Sequence, residues 1–116
     1  MPSSRLKAPT IGIEPPEPMS KASLPHSRVN AARAMLEDLA GEVQDGANPV
    51  AEICMLKNFT TQTMQFCADQ AVQIMGGMGF MRGSRVERIY RDVKVMMIGG
   101  GAEEIMKDLA AKQMGL

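Results

Sequence analysis

Residues 71–104 read AVQIMGGMGFMRGSRVERIYRDVKVMMIGGGAEE, and two glycine breaks divide this otherwise helical stretch. Glycine within a helix is destabilising, so such breaks mark places where the backbone turns sharply or something approaches it closely. The spacing predicts a helix ending near Met75, a turn over Met78-Gly79-Phe80-Met81-Arg82-Gly83, and a charged helix after Ser84. Ser84-Arg85-Val86-Glu87 has the form of a capping box, in which serine and glutamate satisfy each other's exposed amides. The helix that follows would turn Val86, Ile89, Tyr90, Val93, Met96 and Met97 inward. Its charges include Glu87–Arg91 and Arg88–Asp92, each pair one turn apart and suited to ion pairing on a polar face. Gly99-Gly100-Gly101 stops this helix. A last one carries Ala102, Ile105, Met106, Leu109, Ala110 and Gln113 at helical spacing.

Two further helices are predicted upstream. From about Arg28, the residues Val29, Ala32, Leu36, Leu39, Ala40 and Val43 form one apolar stripe that ends at Gly46. Asn48-Pro49 then starts a long helix reaching Met75, with asparagine as N-cap and proline in the first helical position. Ile53, Leu56, Thr60, Cys67, Ala71 and Ile74 line one side of it, and Met55, Phe59, Gln62 and Phe66 another. A helix apolar on two sides is enclosed on both, so this one is expected at the centre, with one face available to another subunit. Residues 1–26 hold six of the seven prolines and no sustained apolar period, which predicts a disordered or extended tail before a helical domain over 27–116. No strand pattern is present. The fold class expected is all-α, an up-and-down helical bundle.

Composition narrows the function. Thirteen basic and thirteen acidic residues leave no cationic excess for a nucleic-acid footprint. No apolar run is long enough for a membrane span, and the N-terminus lacks the apolar core of a signal peptide. Cys54 and Cys67 lie too far apart along one helix to bridge each other, so free thiols and a cytoplasmic location are expected. The twelve methionines read as packing residues for irregular helix gaps. His26, the only histidine, reads as a solvated group beside proline.

No Ser/His/Asp set, metal cluster or paired carboxylate can be assembled. Gly77-Met78-Gly79 is not a dinucleotide-binding fingerprint, because position 82 is arginine and a helix rather than a strand precedes it. The backbone at Gly76, Gly77 and Gly79 admits two readings. It could lie flat against a planar or phosphorylated ligand, or it could form a helix-to-helix turn that needs left-handed conformations. At the start of the last helix, Glu103 and Glu104 already occupy the positive end of the dipole, which excludes direct phosphate binding there.

Three segments in order resemble the C-terminal helical domain of acyl-CoA dehydrogenases. They are Gln73-Ile74-Met75-Gly76-Gly77-Met78-Gly79-Phe80, Val86-Glu87-Arg88-Ile89-Tyr90-Arg91-Asp92-Val93-Lys94, and Ile98-Gly99-Gly100-Gly101-Ala102-Glu103-Glu104-Ile105. The resemblance extends from Ser27 to Leu116. It implies an FAD enzyme that oxidises an acyl-CoA to its 2,3-enoyl form, a carboxylate taking the α-proton while the β-hydrogen leaves as hydride to the flavin. Electrons then pass to an electron-transferring flavoprotein. It also implies a homo-oligomer, in which Gln73, Ile74, Met75, Gly76 and Gly77 reach the FAD of a neighbouring subunit and Ala102, Glu103 and Glu104 touch FAD from the last helix.

The chain departs from that pattern at two positions. Many members place the catalytic glutamate where this chain has Gly100, so no catalytic residue carries over; long-chain and isovaleryl-type members also lack it there and supply the base from an earlier helix. The usual threonine is Ala102. The resemblance thus implies a fragment of the fold, without its N-terminal helical and β-domains and with no turnover of its own. The alternative is a non-catalytic helical module for self-association or interaction. A missing helix would expose an apolar face, so association is expected in either case.

Overall fold

The computed structural model describes residues 23–116, and every regular element among them is helical. In chain order these are α1 (Ser23–Gln44), α2 (Val50–Met75), α3 (Gly77–Phe80), α4 (Arg85–Ile98) and α5 (Glu103–Gln113). α1, α4 and α5 each pack against α2, which is the central helix of an up-and-down bundle. The expected architecture is therefore the observed one.

α1 opens at Ser23, several residues before the apolar spacing begins. Residues 23–26, read from sequence as the end of a tail, are helical. Pro25 does not prevent this, because in the first turn its missing N–H has no intrahelical partner to lose. The proline-rich stretch over 1–22 lies outside the described residues. Along α1 only Ala32 and Leu39 of the predicted stripe are buried, while Val29, Leu36 and Val43 remain exposed. The reason is geometric: α1 rests on α2 along one line, where Arg28 also stacks its guanidinium over the Phe66 ring at 4.4 Å.

α2 starts one residue later than expected. Its N-cap is Pro49, no side chain caps it, and Val50 N–H donates to the Asn48 carbonyl at 2.9 Å. Asn48 thus contributes its backbone to the turn and not its side chain. The tightest core lies between α2 and α5, where Ala51, Cys54 and Ala110 pack with Val50, Met106 and Leu109. Cys54 is buried and Cys67 half-buried, and both are free thiols.

Ser84 caps α4 as predicted, accepting from Glu87 N–H at 3.1 Å, but the reciprocal half of the box is not made. Ser84 N–H donates instead to the Met81 carbonyl at 3.3 Å, which leaves the Glu87 carboxylate to Arg91 at 3.6 Å. Among the described residues Arg88 and Asp92 form no ion pair. Of the six α4 residues expected inward, Val93 is buried and Val86 and Met97 half-buried, whereas Ile89, Tyr90 and Met96 are exposed. Among the described residues α4 is covered mainly by α2 and the short α3. No large side chain among the described residues is completely buried, and no helix is long and apolar enough to cross a membrane.

Candidate functional site

The first glycine break is a built junction. α2 ends on Gly76, whose φ of 60° is left-handed, and Gly76 N–H closes the helix onto the Val72 carbonyl at 2.9 Å. The chain then makes the one-turn helix α3, an element the spacing presented only as a turn. Gly79 is buried against α2, where an added Cβ would stand 3.0 Å from Met75 Cβ and 3.1 Å from the Val72 carbonyl oxygen. So Gly76 is needed for its dihedral angle and Gly79 for close packing.

Gly77 differs from both. Its φ is not positive, and a Cβ built there would meet nothing within 4 Å. Nothing in the fold requires glycine at this position. The two readings of the glycine turn therefore divide by residue: Gly76 and Gly79 make the turn, while Gly77 leaves a stretch of backbone open to approach from outside.

The five residues 73–77 form an exposed tip at the end of α2, with Ile74 83% and Met75 45% accessible. Exposed apolar side chains beside open backbone suit a planar ligand edge that another body covers.

The second candidate group opens α5. Ala102 is the N-cap of α5 and is half-buried, and Glu104 is exposed in its first turn. This end of α5 lies against the middle of α2, where Asn58 Nδ2 donates to the Glu103 carbonyl at 3.1 Å. Gln73 is fifteen residues further along α2, roughly 22 Å of helix at about 1.5 Å per residue. One chain therefore holds the two groups apart.

A cleft of about 600 Å³ beside α3 is lined by Asp69, Val72, Phe80, Arg82, Tyr90 and Arg91 among others, and it includes none of the seven candidate residues. Gly100, the position without a catalytic carboxylate, is exposed, and a Cβ there would point into open space.

Glu103 carries the clearest electrostatic signature. Its carboxylate accepts from Lys107 at 2.6 Å, and this bond, with a weaker one from Gln62, holds its pKa below the ordinary carboxylate value. The same bond raises the pKa of Lys107. Glu103 is thus engaged along its own helix, which leaves Ala102 and Glu104 as the candidates at this end. Sequence reading missed Lys57 and Asn58, which hold this end of α5. The signal was one lysine and one asparagine set into the apolar run of α2.

An all-α bundle with an exposed glycine junction and a glycine-rich entry to its last helix is the form of a known family of domains. The family model for the acyl-CoA dehydrogenase C-terminal domain matches residues 25–115. The chain belongs to this family. Over 94 residues it is 32% identical to the probable acyl-CoA dehydrogenase YdiO of Escherichia coli, covering 81% of this chain and 24% of that protein. The acryloyl-CoA reductase (NADH) of Anaerotignum propionicum is 35% identical over 89 residues, which cover 76% of this chain and 22% of that protein. The crystal structure of a candidate acyl-CoA dehydrogenase from Mycobacterium smegmatis superposes with a TM-score of 0.78 at 40% identity, covering 82% of this chain and 25% of that one. The chain thus spans about a quarter of the length of these relatives.

Proposed function

We propose that this chain supplies two edges of an FAD site in an acyl-CoA dehydrogenase-type assembly, each edge serving a cofactor shared with another copy. Gln73, Ile74, Met75, Gly76 and Gly77 form one edge, and Ala102 and Glu104 the other. The observation that carries this reading is the state of residues 73–77: exposed, with open backbone at a glycine the fold does not need. The separation of the two groups along α2 supports sharing between copies, and the incompletely buried core and exposed faces of α1 and α4 support association.

FAD, when bound, supplies the acceptor for hydride from an acyl-CoA. The chain's own part is to bind and orient. Gln73 can donate from its amide and accept at its carbonyl, while Gly77 allows flat approach. Gly100 has no group that can take a proton, so these residues alone are expected to show no turnover. As in long-chain and isovaleryl-type members, the base would come from another helix, in a cytoplasmic oligomer that passes electrons to an electron-transferring flavoprotein. The relatives include both a dehydrogenase and a reductase.

Titration of the chain with FAD, followed by flavin fluorescence, tests the reading. Saturable quenching that weakens in Gln73→Ala is expected. Absence of quenching in the associated chain would leave the alternative, a helical interaction module without cofactor.

A further inference from the structure

The α4–α5 connection is tied down by two adjacent residues from the middle of α2. Lys57 Nζ donates to the Met97 carbonyl at 3.2 Å and also to the Gly101 carbonyl. Asn58 Nδ2 donates to the Glu103 carbonyl. α4 has no basic residue in its last turn and α5 has no side-chain N-cap, so the junction takes its side-chain partners from another helix.

One atom does not suit a purely stabilising role. Asn58 is only 8% exposed, and its Oδ1 is buried without a partner. A buried orphan acceptor is destabilising, and an apolar side chain of similar volume would remove it. The Glu103 carbonyl would lose little, since it opens α5 and has the helical donor at Lys107. Stability alone therefore does not favour asparagine here; a fixed position for the start of α5 does.

We propose that Lys57 and Asn58 are positioning residues that hold residues 102–104 in one geometry, so that this edge of the site is preorganised. This rests on the reading of those residues as a flavin edge. Neither side chain belongs to the edge itself, and both act through backbone carbonyls of the junction.

Amide hydrogen exchange and FAD titration on the full chain test the proposal together. Met106 N–H donates to the Ala102 carbonyl and Gly99 N–H to the Val95 carbonyl, so these two amides report the two sides of the junction. In Asn58→Leu, urea stability is expected to stay at the wild-type value while exchange at Met106 accelerates about tenfold and FAD affinity falls about tenfold. Lys57→Met, which also gives up the stability of a charged donor, should accelerate exchange at Gly99 beyond the even increase that this stability loss brings to all helices, with Lys57→Arg restoring protection. Wild-type exchange at Met106 in Asn58→Leu would overturn the proposal. So would faster exchange spread evenly over all helices, or faster local exchange with FAD affinity unchanged. Local acceleration in a chain whose wild type binds no FAD would support the positioning and refute the flavin reading instead.

Discussion

Lys57 Nζ lies 3.2 Å from the carbonyl oxygen of Met97, so the C-terminus of α4 is capped by a cation from α2 and not by one of its own. A positive charge there meets carbonyls that helix geometry leaves open and complements the negative end of the dipole. This contact joins residues far apart in sequence and ties α2 to the α4–α5 connection.

Replacing Lys57 with methionine keeps the apolar stem and removes the donor. The loss expected is about 1.5–3 kcal/mol, the range for hydrogen bonds from a charged group. Urea denaturation should report it as a lower midpoint with an unchanged slope, since the surface exposed on unfolding stays the same.

The glycines of the first junction should respond in opposite directions. Gly79→Ala forces a methyl group against Met75 and the Val72 carbonyl and should cost about 1–3 kcal/mol. Gly77→Ala meets nothing and should stabilise by about 0.4–1 kcal/mol by restricting the unfolded chain. Thermal melting of the two variants beside wild type checks both signs.

Ser84→Ala removes the hydroxyl that accepts from Glu87 N–H. Loss of this N-cap should cost about 1 kcal/mol. Circular dichroism during denaturation should show the loss, and Ser84→Asp should recover most of it.

The Glu103–Lys107 pair predicts pH dependence at both ends of the scale. Hydrogen bonding from Lys107 lowers the Glu103 pKa from 4.5, so its contribution is complete above that value and is lost as pH falls through the lower folded-state pKa. The Lys107 pKa is raised from 10.5, so that contribution is complete below 10.5 and is lost as pH rises through the higher folded-state value. Lys107 is exposed and Glu103 only half-buried, so the effects should be small. Lys107→Met should flatten both limbs in a pH series of melting temperatures.

Much of the fold was legible because period and punctuation agree in this chain. The two apolar sides of α2 marked it as central, and the glycine breaks marked where helices stop. What stayed hidden depended on tertiary partners. Nothing local reveals that Asn48 leaves its cap unused, or that Glu87 turns from Ser84 to Arg91 once Met81 takes the Ser84 amide. The inward side of α4 was overread because periodicity identifies an apolar stripe but not how much of it a neighbour covers; Ile89 and Met96 belong to the stripe and are exposed. Of the candidate site, the two segments were visible as motifs. Their separation along α2 follows only from the packing of α5 against Asn58.

An FAD shared between copies, as proposed, would lie against residues 73–77 of one chain and Ala102 and Glu104 of another. Mixing two defective chains tests it most directly. Gln73→Ala impairs the α2 edge and Ala102→Gln places bulk at the α5 edge, so each alone should quench flavin fluorescence weakly. In an equal mixture, a two-fold hybrid carries one intact site, and about a quarter of wild-type sites should return on random pairing. No recovery in a mixture shown to exchange subunits would rule out a cofactor shared between copies.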